Sequence, residues 1–95
     1  MFVVYVLYSR SLDSYYIGQT ENFSARFEWH KLEIFSRSFT KRAQDWILFN
    51  SIECESRKQA VNIELHLKKM KSKKYLQDLR NYPEISEKLK VKYHQ

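Results

Sequence analysis

Residues 2–9 read Phe-Val-Val-Tyr-Val-Leu-Tyr-Ser, an apolar run without a charge. β-branched and aromatic side chains in so short a run predict a buried strand, and the chain must fold around it. Arg10-Ser11-Leu12-Asp13-Ser14 is polar and turn-like. Tyr15 to Gln19 reads as a second strand, so the two form a hairpin. Gly18, the only glycine, falls inside it. A glycine within a strand marks a bulge or a close backbone approach.

The remaining elements follow from caps and periodicity. Asn22 caps a helix that carries Phe23, Phe27 and Leu32 on one side and runs to about Glu33. Residues 34–45 are mixed and predict a loop. Trp46 to Glu53 reads as a third strand. Ser56 and Gln59 form a capping box, S-x-x-Q. Ala60, Ile63, Leu67 and Met70 then recur at helical spacing, predicting a helix to about Lys71. Tyr75, Leu76 and Leu79 predict a short helix that stops before Pro83. Pro83 opens a last helix with Ile85 and Leu89 facing inward.

The chain has 95 residues, which predicts one domain over 1–95 with a basic helical extension from about residue 73. One Gly and one Pro exclude low-complexity and collagen-like classes. A single cysteine, Cys54, excludes an internal disulfide framework and a cysteine-rich zinc site. It is expected to act as a small buried hydrophobe in a reducing cytoplasm. No stretch reaches the ~18 apolar residues of a membrane span, and the N-terminal run lacks the basic leader of a signal peptide. The predicted location is cytoplasmic, with no membrane partner.

The net charge is +6 and the pI about 9.5. Residues 1–56 hold six basic and seven acidic side chains, whereas residues 57–95 hold eleven and four. The positive charge is therefore C-terminal and suggests a polyanionic partner. No HExxH, Walker loop or nucleophile elbow is present. Three features remain. Tyr5 and Tyr16 lie on paired strands and can share a face. Arg26 and His30 are four apart on one helix face, where Arg grips phosphate and His takes a proton near neutral pH. Glu64 lies beside Ile63 and Leu67, at the edge of a buried face. A carboxylate there needs a partner, either Lys68 at i,i+4 or a hard cation such as Mg²⁺ or Mn²⁺.

Taken in order, these residues resemble the GIY-YIG nuclease superfamily, in particular its small stand-alone bacterial members and the N-terminal nuclease domain of the bacterial repair excinuclease. Val4-Tyr5-Val6-Leu7-Tyr8-Ser9 is similar to the family's first strand. Tyr15-Tyr16-Ile17-Gly18-Gln19-Thr20 keeps the YIG element. Asn22-x-x-x-Arg26-x-x-x-His30 matches the first helix, and Ala60-x-x-x-Glu64-x-x-x-Lys68 the metal-ligand helix. The resemblance covers about residues 2–80. It implies an α+β fold, a small three-stranded antiparallel sheet flanked by helices. It implies a divalent-metal-dependent endonuclease that hydrolyses DNA phosphodiester bonds with Mg²⁺ or Mn²⁺. Tyr5, Tyr16, Arg26, His30 and Glu64 fall on the catalytic positions, with Glu64 as metal ligand and Gly18 as the glycine of YIG. Val3 stands where the family name has glycine. The stretch Lys73-Lys74-Tyr75-Leu76-Gln77 has no Asn where members often carry one; Gln77 and Asn81 are the nearest amides.

In the implied reaction Glu64 holds the metal, Arg26 grips the phosphate, and Tyr5, Tyr16 or His30 takes the proton of the attacking water. Gly18 lets the nucleic-acid backbone approach. Arg37, Lys41, Arg42, Lys68, Lys69, Lys71, Lys73 and Lys74 are expected to meet phosphates, which gives affinity without sequence reading. No base-reading module accompanies them, so preference is expected from DNA structure, a homodimer or a protein partner. Two alternatives are a nucleic-acid-binding domain with little or no catalysis, and a protein-interaction module.

Overall fold

The structure is a computed structural model that describes residues 2–21, 43–70 and 72–94. The predicted helix from Asn22 to Glu33 and most of the predicted loop lie outside these residues. Strand β1 spans Phe2–Ser9, β2 Ser14–Thr20 and β3 Trp46–Cys54. They form one antiparallel sheet in the order β2-β1-β3. Three helices follow: α1 over Arg57–Met70, α2 over Lys73–Asn81 and α3 over Pro83–Lys92. This is the predicted α+β sheet-and-helix arrangement, with strand ends within a residue or so of expectation. No described helix is long and apolar enough to cross a membrane.

β1 explains the architecture. It is the central strand, and Val3, Val4, Tyr5, Val6 and Leu7 are all buried. Successive side chains point to opposite faces, so both faces of the sheet carry a core. On one face Val4 and Val6 join Ile52 and Cys54 against Ala60, Ile63, Leu67, Leu76, Leu79 and Leu89 of the helices. On the other, Tyr5, Leu7 and Trp46 cluster with Tyr16 and Leu48 beside them. Phe49 is an extra residue between the pairs Val6–Asn50 and Leu7–Leu48, a bulge that lets it pack edge-on to Tyr15 at 5.1 Å. Met70, expected on the apolar stripe of α1, is exposed. It borders a surface cavity with His66 and Tyr93 instead.

Two polar side chains, the buried Gln59 and the half-buried His66, join the helices. Ser56 Oγ accepts from the Gln59 N–H at 3.1 Å, the first half of the predicted capping box. The second half is displaced by one residue: Gln59 Oε1 accepts from the Glu55 N–H at 2.7 Å. Gln59 Nε2 then donates to the Lys90 carbonyl at 2.9 Å. That carbonyl lies in the last turn of α3, where carbonyls have no helical partner. One side chain thus caps the start of α1 and the end of α3. His66 sits between two hydroxyls, Nδ1 at 3.0 Å from Tyr93 and Nε2 at 3.3 Å from Tyr75, joining all three helices.

Gln59→Ala should lower unfolding free energy by about 1–3 kcal/mol, the scale of orphaned buried hydrogen-bonding groups, as read by urea denaturation. Burial first, then Lys92 and Lys69, hold His66 below its ordinary pKa. The fold therefore prefers neutral His66, while the unfolded chain takes up a proton at about pH 6.5. Stability should be full above about pH 6.5 and decline as pH falls below it. His66→Gln should flatten that decline in a pH series of melts.

Candidate active site

The β1–β2 register places Tyr5 opposite Gly18 and Leu7 opposite Tyr16. Tyr5 and Tyr16 therefore share one face, with ring centroids 6.3 Å apart. Trp46 meets Tyr16 edge-on at 6.5 Å. Tyr5 is wholly buried, while Tyr16 keeps part of its surface exposed.

Gly18 has no positive φ, so its role is spatial rather than conformational. A Cβ at this position would lie 2.5 Å from Tyr5 Oη and 2.7 Å from Tyr5 Cζ. The tyrosine ring lies across the bare glycine backbone. The expected close approach is thus made by a side chain of the neighbouring strand. Gly18→Ala must displace the ring, because the atoms it would strike sit in a filled core. The substitution should cost about 1–3 kcal/mol, the usual scale of overpacking, with a lowered melting temperature as the readout.

Glu64 lies on α1 one residue beyond the buried Ile63, with its side chain only 16% exposed. Lys68 Nζ pairs with its carboxylate at 2.6 Å, one helical turn on. The partner that a carboxylate at the core's edge requires is therefore supplied within the helix. Lys68 also lines a cavity of about 550 Å³ beside β2, the edge strand of the described sheet, and Tyr16 lies on the wall of the same cavity. The Tyr16 strand and the Glu64–Lys68 pair thus meet at this edge, one from each face of the sheet.

Lys73 lines the cavity as well and donates to Asp13 Oδ2 at 2.8 Å, while Tyr8 Oη donates to Asp13 Oδ1 at 2.8 Å. Hydrogen bonds from Lys73 and then Tyr8 hold the Asp13 carboxyl below the usual carboxylate range. Asp13 takes a left-handed backbone, φ 48°, at the end of the hairpin turn. Asp tolerates that conformation better than most residues. Asp45 pins the same turn to β3: Ser9 Oγ donates to Oδ1 at 2.6 Å and the Ser11 N–H to Oδ2 at 2.8 Å. Nothing in the sequence singles out Asp13 or Asp45. Their partners are distant in the chain, and Asp in a turn carries no signal beyond the turn itself.

The other expected contacts disperse. Lys69 borders the cavity beside His66 and Tyr93, and Lys74 pairs with Asp78 at 3.4 Å. Arg26, His30, Arg37, Lys41, Arg42 and Lys71 lie outside the described residues. Among the described residues no group of three or more His, Cys, Asp or Glu side chains is arranged to hold a metal.

A family model, the GIY-YIG catalytic domain, matches residues 1–77. Neither a curated protein nor a solved structure matches the chain. The matched span runs from β1 through the Tyr5–Gly18 contact and the Glu64 helix into α2, and it covers most of the chain. The chain belongs to the GIY-YIG family and carries its nuclease catalytic domain.

Proposed function

We propose that this chain is a divalent-metal-dependent DNA endonuclease that selects DNA structure rather than sequence. Its catalytic set is Tyr5, Tyr16, Arg26, His30 and Glu64. The reading rests on one arrangement above all: Tyr5 packed over Gly18 and next to Tyr16, on a strand that borders a cavity also lined by Lys68, the partner of Glu64, in a chain of a nuclease family.

Glu64 suits a hard cation. Its carboxylate already holds a cationic group and keeps partial access to water. Mg²⁺ is commonly bound by one or two carboxylates and fills its remaining positions with water and phosphate oxygens, so a single Glu suffices. When bound, the ion stabilises negative charge on the phosphate and the leaving oxygen.

The protein's own groups do the rest. A phosphodiester repels hydroxide, so positive charge must meet the phosphate before attack. Arg26 supplies two parallel donors for its oxygens. Of the two tyrosines, Tyr16 is the one open to water, and we assign it to the water's proton with His30 as the receiving base. At neutral pH a tyrosine with the ordinary pKa near 10 keeps a proton of its own, whereas a histidine with the ordinary pKa near 6.5 has a nitrogen free to accept one, so Tyr16 gives up its proton to His30 as it takes the water's. Tyr5, buried over Gly18, holds Tyr16 in place. Lys68, Lys69, Lys71, Lys73 and Lys74, with Arg37, Lys41 and Arg42, attract the DNA backbone, and a homodimer or a protein partner adds preference.

A second reading, a nucleic-acid-binding domain that does not cut, draws on the Lys68–Glu64 pair, which satisfies the carboxylate without a metal. Nicking of supercoiled plasmid with Mg²⁺ or Mn²⁺ separates the two. On the nuclease reading, Glu64→Ala lowers the rate at least about a hundredfold, the scale of losing one charge-stabilising group. Tyr16→Phe lowers it by about a hundredfold or more, the scale of a lost proton-transfer group, and Tyr5→Phe by less. Salt-sensitive binding without metal-dependent nicking would support the second reading. Equal rates on linear duplex, flap and junction substrates would remove the structural preference.

A further inference from the structure

We propose that the cavity beside β2 receives one unpaired nucleobase of the substrate, next to the phosphate that is cut. The inference rests on the nuclease reading above and supplies a physical basis for selecting DNA structure. At about 550 Å³ the cavity falls in the ~300–1,000 Å³ range of small-ligand sites. It admits a nucleotide and excludes a double helix.

Its chemistry matches a nucleotide in two parts. Tyr15 and Ile17 of β2 and Leu67 and Leu76 of the helices line it with apolar surface. A flat base fits between such walls, and stacking on tyrosine is indifferent to base identity because every base has a π-face. Lys68 and Lys73, whose side chains remain 51% and 57% exposed, add two ammonium groups for the adjoining phosphates. Each is held in place by a carboxylate, Glu64 and Asp13 respectively. Tyr16 lies on the same wall, so a base seated here brings its own backbone to the candidate catalytic strand.

A paired base must first leave its stack and its partner, which costs binding energy. A bulged, flapped or otherwise unpaired base has no such cost. The cavity therefore favours substrates in which a base is already free, and it does so without reading which base it is.

The test is binding in EDTA, which separates recognition from cutting. Fluorescence anisotropy compares two duplexes that differ only at a one-nucleotide bulge, one carrying a base there and the other an abasic sugar. The base-bearing duplex should bind about tenfold tighter, the scale of one stacked base. Equal affinities would overturn the pocket. Ser14→Trp, which fills the cavity wall, and Tyr15→Leu, which keeps apolar bulk but removes the ring, should each erase the difference. They should leave affinity for the abasic duplex intact. If Ser14→Trp does not fold, Tyr15→Leu carries this arm. An undiminished preference in either variant with an unchanged melting temperature would place the base elsewhere and overturn the assignment. Base-dependent binding without metal-dependent nicking would uphold the pocket and remove only the nuclease reading.

Discussion

A strand paired on both edges and buried on both faces has no surface left for water. β1 is such a strand, and its surroundings answer to that constraint. β2 and β3 satisfy its backbone hydrogen bonds. The helices cover Val4 and Val6, and the tyrosine and tryptophan cluster covers Tyr5 and Leu7. Because side chains alternate along a strand, the same run of residues serves both a helix-packed core and an aromatic one.

The candidate site grows from the second of these cores. Gly18 leaves room for the Tyr5 ring, and that ring occupies the space beside Tyr16. Among the described residues β2 is an edge strand, with no strand paired to its outer side. The helices reach this edge through Leu67, Lys68, Lys73 and Leu76, and leave a cavity between them and the strand. Tyrosines on one face and a carboxylate–lysine pair on the other thereby approach one opening. The ion pairs around it lie near the surface, where such pairs add little to stability. Their consequence is placement: Glu64 fixes Lys68 and Asp13 fixes Lys73.

The helices depend on buried polar contacts as well as on leucine. Gln59 completes two helix ends that are distant in sequence. His66 gathers hydroxyls from two helices onto the third. Removal of the buried Gln59 leaves backbone groups at two helix ends without a partner, which is more damaging than the loss of one exposed contact.

Local chemistry made much of this legible in the chain itself. The apolar run at Phe2–Ser9, the Ser56–Gln59 cap, the stripe of Ala60, Ile63 and Leu67 and the stop before Pro83 each act over a few residues. The elements these signals predict formed where the signals lay, as did the Trp46 strand. That Tyr5 and Tyr16 share a face follows from alternation along a hairpin, and Glu64 reads in the sequence as a carboxylate at a core's edge. Long-range geometry decided the rest. The reach of Gln59 to Lys90, the grip of Asp13 on Lys73, the bulge at Phe49 and the opening beside β2 join residues far apart in sequence. Hydrophobic period and capping report only on neighbours. Which distant side chain meets a given polar group depends on how the sheet and helices pack, so it exists only in the folded molecule.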